Sequence, residues 1–224
     1  MMRIVDLSMP VRDHFRWKPE ITVKGNKSAG DQFRVTRLGT TCHGFSHVDA
    51  QAHFIADGPT IEATPLDQVV GAARVFDLSA IGPDTEITPE ILAAADPGGK
   101  QGDIILLATR WDTRRDHETR AFWTEAPWLN RAAAEWLWTL RPRALAVDFP
   151  QDYPIRLLLD GIEVPDAEHV THDVLLRNGV TLIEYVVNTA ALTQSRVFLS
   201  AAPLKIENAD GAPARIYAIE GLPL

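Results

Sequence analysis

Apolar residues fall along this chain in short runs and alternations, too brief for long helices and spaced as for a sheet with a few inserted helices. Arg3 to Leu7 reads as a first strand and Phe33 to Gly39 as a second, alternating one. Ala73 to Leu78 and Asp103 to Ala108 continue the series. In the latter, Ile104-Ile105-Leu106-Leu107 is apolar on both faces, the pattern of a central strand covered on both sides. Thr88-Pro89-Glu90 predicts a short helix, with Thr as N-cap, Pro at the first helical position and early acidic charge. Asn130 caps a second helix running through Ala132, Trp136 and Leu140 and stopped by Pro142. Ala144 to Val147 reads as another buried strand. After a loop-like stretch, His169 to Arg177 reads as a helix closed by Asn178-Gly179. Val180 to Val187 is again strand-like. Val197 to Ala201 and Ala214 to Ile219 flank the turn-rich Asn208 to Pro213. Strands outnumber helices and no repeat or linker divides the chain. The expectation is an α/β fold with a mixed sheet, a single domain over residues 1–224.

Composition narrows the partners rather than the fold. The net charge is −8, with 22 basic against 30 acidic residues, which argues against nucleic-acid or anionic-membrane binding. A small molecule is the expected partner. Cys42 is the single cysteine and cannot form an internal disulfide, so a reducing cytoplasm is the expected compartment. No basic start followed by an apolar run opens the chain, in keeping with that expectation.

The chemistry concentrates in one segment. Of seven histidines, three (His43, His47 and His53) fall within eleven positions, together with Asp49. Neutral imidazole and carboxylate are ordinary ligands of a zinc- or manganese-class ion. His47 and Asp49 are two apart, so an extended backbone points both to one face. Gly44 permits a turn that could bring His43 alongside. Downstream, Glu184 lies in a strand apolar on both faces, Leu182 and Val186 sharing its side and Ile183, Tyr185 and Val187 the other. A buried ionised carboxylate must be paired, protonated or bound to metal. His169 and His172 lie three apart on one helical face, and spacing leaves either as a ligand.

The segment His43-Gly44-Phe45-Ser46-His47-Val48-Asp49-Ala50-Gln51-Ala52-His53-Phe54 resembles the motif His-x-Gly-Thr-His-x-Asp-x-Pro-x-His-Phe of the cyclase family of metal-dependent hydrolases. That family includes bacterial kynurenine formamidases (arylformamidases) and isatin hydrolases. The likeness extends to Ile4 to Ser8, Asp57-Gly58-Pro59, Val147 to Pro150, His172 to Glu184, and Pro203 to Ile206 with Asp210 to Arg215. It implies a swivelling β/β/α architecture and a homo-oligomer, dimer or tetramer. It implies one or two divalent ions per subunit, zinc or manganese. His43, His47 and Asp49 would hold one ion; Asp49 would bridge to a second held by His172, with Glu184 touching both. The same likeness puts His53 in the general acid/base position and Trp17 near a substrate-contacting aromatic. Phe45 and Gln51 depart from the motif's Gly and Pro.

The expected activity is hydrolysis of an amide C–N bond, open-chain as in an arylformamide or cyclic as in isatin. A lactonase, or a cyclase or dehydratase, would use the same site. Two further readings are a Cys42 nucleophile and a non-catalytic protein with a structural metal site. Trp123, Trp128, Trp136 and Trp138 are expected to serve core packing or subunit contact.

Overall fold

A computed structural model describes residues 1–224. In chain order its strands are β1 (Arg3–Asp6), β2 (Glu20–Gly25), β3 (Val35–Gly39), β4 (His47–Asp49), β5 (Val70–Asp77), β6 (Glu86–Ile87), β7 (Ile104–Ala108), β8 (Trp128–Leu129), β9 (Ala144–Val147), β10 (Thr181–Glu184), β11 (Arg196–Ser200), β12 (Gly211–Pro213) and β13 (Tyr217–Glu220). The helices are short: α1 (Leu66–Val69), α2 (Pro89–Ala95), α3 (Arg120–Thr124), α4 (Arg131–Thr139), α5 (Ile155–Leu158) and α6 (Val170–Val174).

Nine strands form one mixed sheet in the order β1-β13-β11-β5-β7-β9-β10-β4-β12. The middle four, β5, β7, β9 and β10, run parallel, and antiparallel strands extend the sheet on both sides. The sheet curls. The chain just after β1 bridges the chain just after β10 through Ser8 and Val186. This is the α/β architecture with a mixed sheet that the strand-rich pattern predicts.

Alternation along the central strands divides the core into two layers. Ile104, Leu106, Ala144, Ala146 and Ile183 point to the inner face of the curl, where they meet Val5, Leu7 and Val48. Ile105, Leu107, Leu145, Val147 and Leu182 point outward and are covered by Leu92, Leu137 and Val174 from the helices. Period-two alternation is why one strand can serve two apolar layers. Asn130 caps α4 as expected, its side chain accepting from Ala133 N at 2.8 Å.

The differences from the sequence expectation are local and physical. In the Val180–Val187 run β10 ends at Glu184, because Tyr185 sits in the left-handed region with φ 56°, and pairing resumes only as the Val186 bridge to Ser8. The His169–Arg177 helix divides into α6 and a 3-10 turn over Leu176–Asn178, closed by Gly179 at φ 85°. Part of the turn-rich 208–213 segment is strand β12, which pairs with β4. The last strand begins at Tyr217 rather than Ala214. Strand β2 shows no burial-driven pattern because its β2–β3 ribbon stands apart from the main sheet and is largely exposed. Trp123 is buried in the outer layer, whereas Trp138 is exposed. No helix is long and apolar enough to cross a membrane.

Leu107 is fully buried at the centre of the outer layer. Leu107→Ala is expected to destabilise the fold by about 2–5 kcal/mol, seen as a lower denaturant midpoint in equilibrium unfolding.

Candidate metal centre

Strand register assembles the site. Antiparallel pairing sets Asp49 opposite Leu182 and His47 opposite Glu184. Val48 and Ile183 point into the inner core, so His47, Asp49 and Glu184 all emerge on the outer face. His172 reaches the same place from α6. His43 comes from the turn before β4 and lies against β12. A Cβ on Gly211 would fall 2.8 Å from His43 Cε1 and 2.9 Å from Val48 O, so only glycine lets the imidazole rest there.

Two non-glycine residues with positive φ frame these elements, Phe45 at 59° and Tyr185 at 56°. Bulky residues rarely adopt this conformation. At Tyr185 it breaks the strand alternation, so Tyr185 turns to the same side as Glu184 instead of the opposite one. The Phe45 carbonyl accepts from His47 Nδ1 at 2.8 Å, which leaves His47 Nε2 facing the carboxylates.

Asp49 is the hub. Its Oδ1 accepts from His43 Nδ1 at 2.8 Å and lies 3.2 Å from His47 Nε2, while its Oδ2 lies 3.6 Å from His172 Nε2. Glu184 lies 3.7 Å from His47 Nε2 and 3.5 Å from His172 Nε2. Both carboxylates are buried, and Asp49 Oδ2 has no hydrogen-bond partner. Burial pushes the Asp49 carboxyl up, but the charge of His47 and the imidazoles of His172 and His43 beside it outweigh that and hold the group well below the usual carboxylate range. The imidazoles shift reciprocally. Burial lowers His43, yet Asp49 and then Asp210 carry it up to about 9. Burial likewise opposes protonation of His172, and Asp152, Asp49 and Glu184 drive it upward. The cluster therefore demands positive charge at its centre. A divalent cation meets that demand without borrowed protons. The donors fit one: oxygen or nitrogen atoms of His47, Asp49 and Glu184 lie within 4.8 Å of one another, as do those of His43, Asp49 and His53.

A surrounding layer fixes the donors. Asp152, fully enclosed, accepts from His172 Nδ1 at 2.7 Å and from Thr171 N and Oγ1, each at 2.9 Å. Gln151 Nε2 donates to Glu184 Oε1 and to Thr171 Oγ1. Neither residue carries a metal-spacing signal in the sequence; a polar pair directly after the apolar strand β9 and Phe149-Pro150 is the only trace. Asp210, from the turn before β12, lies 2.8 Å from His43 Nε2 and 3.7 Å from His53 Nδ1.

The cluster opens on a cavity of about 260 Å³, lined among others by His43, His53, His172, Glu184, Tyr185 and Arg16. His53 sits at the end of a 3-10 turn and stacks on His43, ring centroids 3.8 Å apart. Burial holds it down to about 4 despite nearby carboxylates. His169 lines the same cavity, half-buried and grouped with Asp152 and His172 rather than with Asp49. Trp17 lies behind the wall, packed on Phe45, Trp123 and Tyr185 at 4.9–5.6 Å; its neighbour Arg16 is the residue on the cavity surface. Burial and the Asp210 charge push the Cys42 thiol up, away from the thiolate that a nucleophile needs.

A family model described as "Putative cyclase" matches residues 5–151. The kynurenine formamidase of Salinibacter ruber is 32% identical over 184 residues, covering 80% of this chain and 76% of that protein. The solved structure of the "predicted metal-dependent hydrolase" from Bacillus stearothermophilus superposes with a TM-score of 0.74 at 26% identity, covering 98% of this chain and 99% of that one. Isatin hydrolase A from Labrenzia aggregata shares the fold, with a TM-score of 0.78 at 21% identity over 97% of this chain and 93% of its own.

Asp152→Ala removes the acceptor that orients His172. Metal affinity is expected to fall about 10- to 100-fold, read by competition with a chromogenic chelator.

Proposed function

The chain belongs to the cyclase family of metal-dependent hydrolases, and from that premise we propose that it cleaves the C–N bond of a non-peptide amide, an arylformamide or a cyclic amide such as isatin. The observation that carries this reading is Asp49: a buried carboxylate, three imidazoles around it, one oxygen without a partner, set behind the histidines that line a cavity sized for a small molecule. In this reading His43, His47 and Asp49 would hold one divalent ion, Asp49 and His172 would hold a second, and Glu184 would serve both. Zinc suits the imidazole-rich donors, and manganese is the alternative.

When bound, such a cation supplies Lewis acidity, lowering the pKa of water toward about 7 and polarising a carbonyl. The chain's own residues do the rest. Asp152 and Gln151 hold His172 and Glu184 in place, so the donors need no rearrangement during the reaction. Water adds to the carbonyl carbon, the C–N bond breaks, and the nitrogen leaves with a proton. His53 is the group we assign to that proton. Its Nδ1 is turned toward Asp210, leaving Nε2 to carry the proton to the leaving amine. Tyr185 and Phe54 wall the cavity, and Trp17 backs Tyr185 from behind.

We infer a homodimer or a higher homo-oligomer. The β2–β3 ribbon exposes Ile21, Val23 and Leu38 with no core of its own, and a two-stranded ribbon is marginal alone. A reducing cytoplasm suits the single free cysteine.

Elemental analysis joined to a hydrolysis panel of N-formylkynurenine, isatin and simple lactones tests the reading. Turnover of an amide by metal-loaded protein is expected; turnover of lactones alone, or of nothing, refutes it. His53→Ala is expected to keep its metal and lose about 10²- to 10⁴-fold in kcat. Asp49→Ala is expected to lose the metal itself, seen in elemental analysis.

A further inference from the structure

Tyr185 is the one residue on the wall of the metal-centre cavity that a left-handed backbone delivers there. Regular strand alternation would send its ring to the inner layer with Ile183. Instead the ring stands outside and is held on two sides. Its centre lies 5.6 Å from Trp17 and 5.0 Å from Trp123, and 5.3 Å from the imidazole of His47. The residue is only 4% exposed.

Packing accounts for the ring and leaves the hydroxyl unexplained. A phenylalanine would fill the same space without a polar atom to satisfy, and a buried phenol ordinarily finds a partner. The buried hydroxyls of Ser46, Thr109, Thr171 and Thr189 each donate to a carbonyl or a carboxylate. The acceptor beside the Tyr185 hydroxyl is Glu184. Its oxygens already face Gln151 and His172 on one side and His47 on the other, and no hydrogen bond closes between the two neighbours. A phenol, with an ordinary pKa of about 10, carries its proton at neutral pH. Tyr185 thus brings an uncommitted O–H donor, on a ring that cannot swing away, to the corner of the cavity where the carboxylates and imidazoles converge.

Resting on the amide-hydrolase reading, we propose that Tyr185 is a catalytic residue whose hydroxyl donates a hydrogen bond to the substrate's carbonyl oxygen as it becomes an oxyanion. When the water oxygen bonds to the carbonyl carbon, the π pair moves onto the carbonyl oxygen and the water's proton passes to His53. Tyr185 stabilises the new charge and keeps its own proton. When the C–N bond breaks, the pair returns to re-form the carbonyl and the nitrogen takes the proton from His53. A donor fixed in place beforehand needs no reorientation as charge develops. The turn at φ 56° and the two tryptophans behind the ring provide that fixing.

Metal-loaded wild type and Tyr185→Phe, which keeps the ring and its packing, are compared in three measurements. These are metal content by elemental analysis, hydrolysis of formanilide and isatin, and calorimetric binding of phenylphosphonate against benzamide. Phenylphosphonate presents tetrahedral anionic oxygens like those of the intermediate, and benzamide the planar ground state. Tyr185→Phe is expected to keep its metal and its KM and to lose about 10²- to 10³-fold in kcat. Its Kd for phenylphosphonate is expected to rise about 10- to 100-fold, with that for benzamide little changed. Undiminished kcat in the variant overturns the proposal and leaves amide hydrolysis standing. Loss of metal along with the hydroxyl makes Tyr185 a support for Glu184 and overturns it too, as do equal losses of affinity for both probes. Hydroxyl-dependent binding of phenylphosphonate by a wild type that cleaves no amide supports the donor and refutes amide hydrolysis instead.

Discussion

Two carboxylates on neighbouring strands, buried side by side on one face of a sheet, are the constraint around which this molecule is arranged. Removing an ionised carboxylate from water costs several kcal/mol even after the protein relaxes. Asp49 and Glu184 share that condition, in a layer otherwise filled by Leu182, Val174 and Phe45. The surrounding features read as answers to it. Three imidazoles close on Asp49, Gln151 donates to Glu184, and Asp152 turns His172 inward. Glycine at 211 lets His43 come near enough to take part. The site is electrostatically complete only with positive charge at its centre, and this ties local folding to ion binding.

The backbone contributes through two left-handed residues, Phe45 and Tyr185, one on each of the paired strands at the same end. Such conformations cost about 1–3 kcal/mol each and persist only when neighbours over-determine them. Ser46 supplies part of that determination. Its hydroxyl donates to Tyr185 O at 2.7 Å and accepts from Met9 N at 2.7 Å, so one side chain ties both unusual turns to the N-terminal segment. The result is that consecutive residues, Glu184 and Tyr185, serve the cavity together. Regular strand geometry would place them on opposite faces.

How much of this was legible in the sequence depended on whether a residue acts directly or through another. His47 and Asp49 at strand spacing, and Glu184 in an apolar strand, announce themselves because donor chemistry in apolar surroundings is improbable without a purpose. The central position of β7 was legible for a similar reason, since Ile104 to Leu107 is apolar on both faces. Asp152 and Gln151 touch no reactive group and so leave no spacing signature; their role exists only once α6 folds back over β9. Asp210 lies in a turn, where an aspartate is ordinary. The side to which Tyr185 points was not legible, because alternation assumes negative φ. Arg16 was overshadowed by Trp17: the aromatic attracts notice in a sequence, but packing puts it behind the wall and its neighbour in front.

The placement of β13 has a consequence for how the chain is made. Strand β1 has one sheet partner, β13, and β13 is also what joins β1 to β11 and the rest of the sheet. Strand β1 therefore cannot join the sheet before β13 does, although some 200 residues separate them in the chain. Val5 and Leu7, which belong to the inner core, stay without their neighbours Ala218 and Ile216 until the β13 segment has emerged. Vectorial synthesis can assemble the parallel centre early, but the curl closes only once β13 has been made.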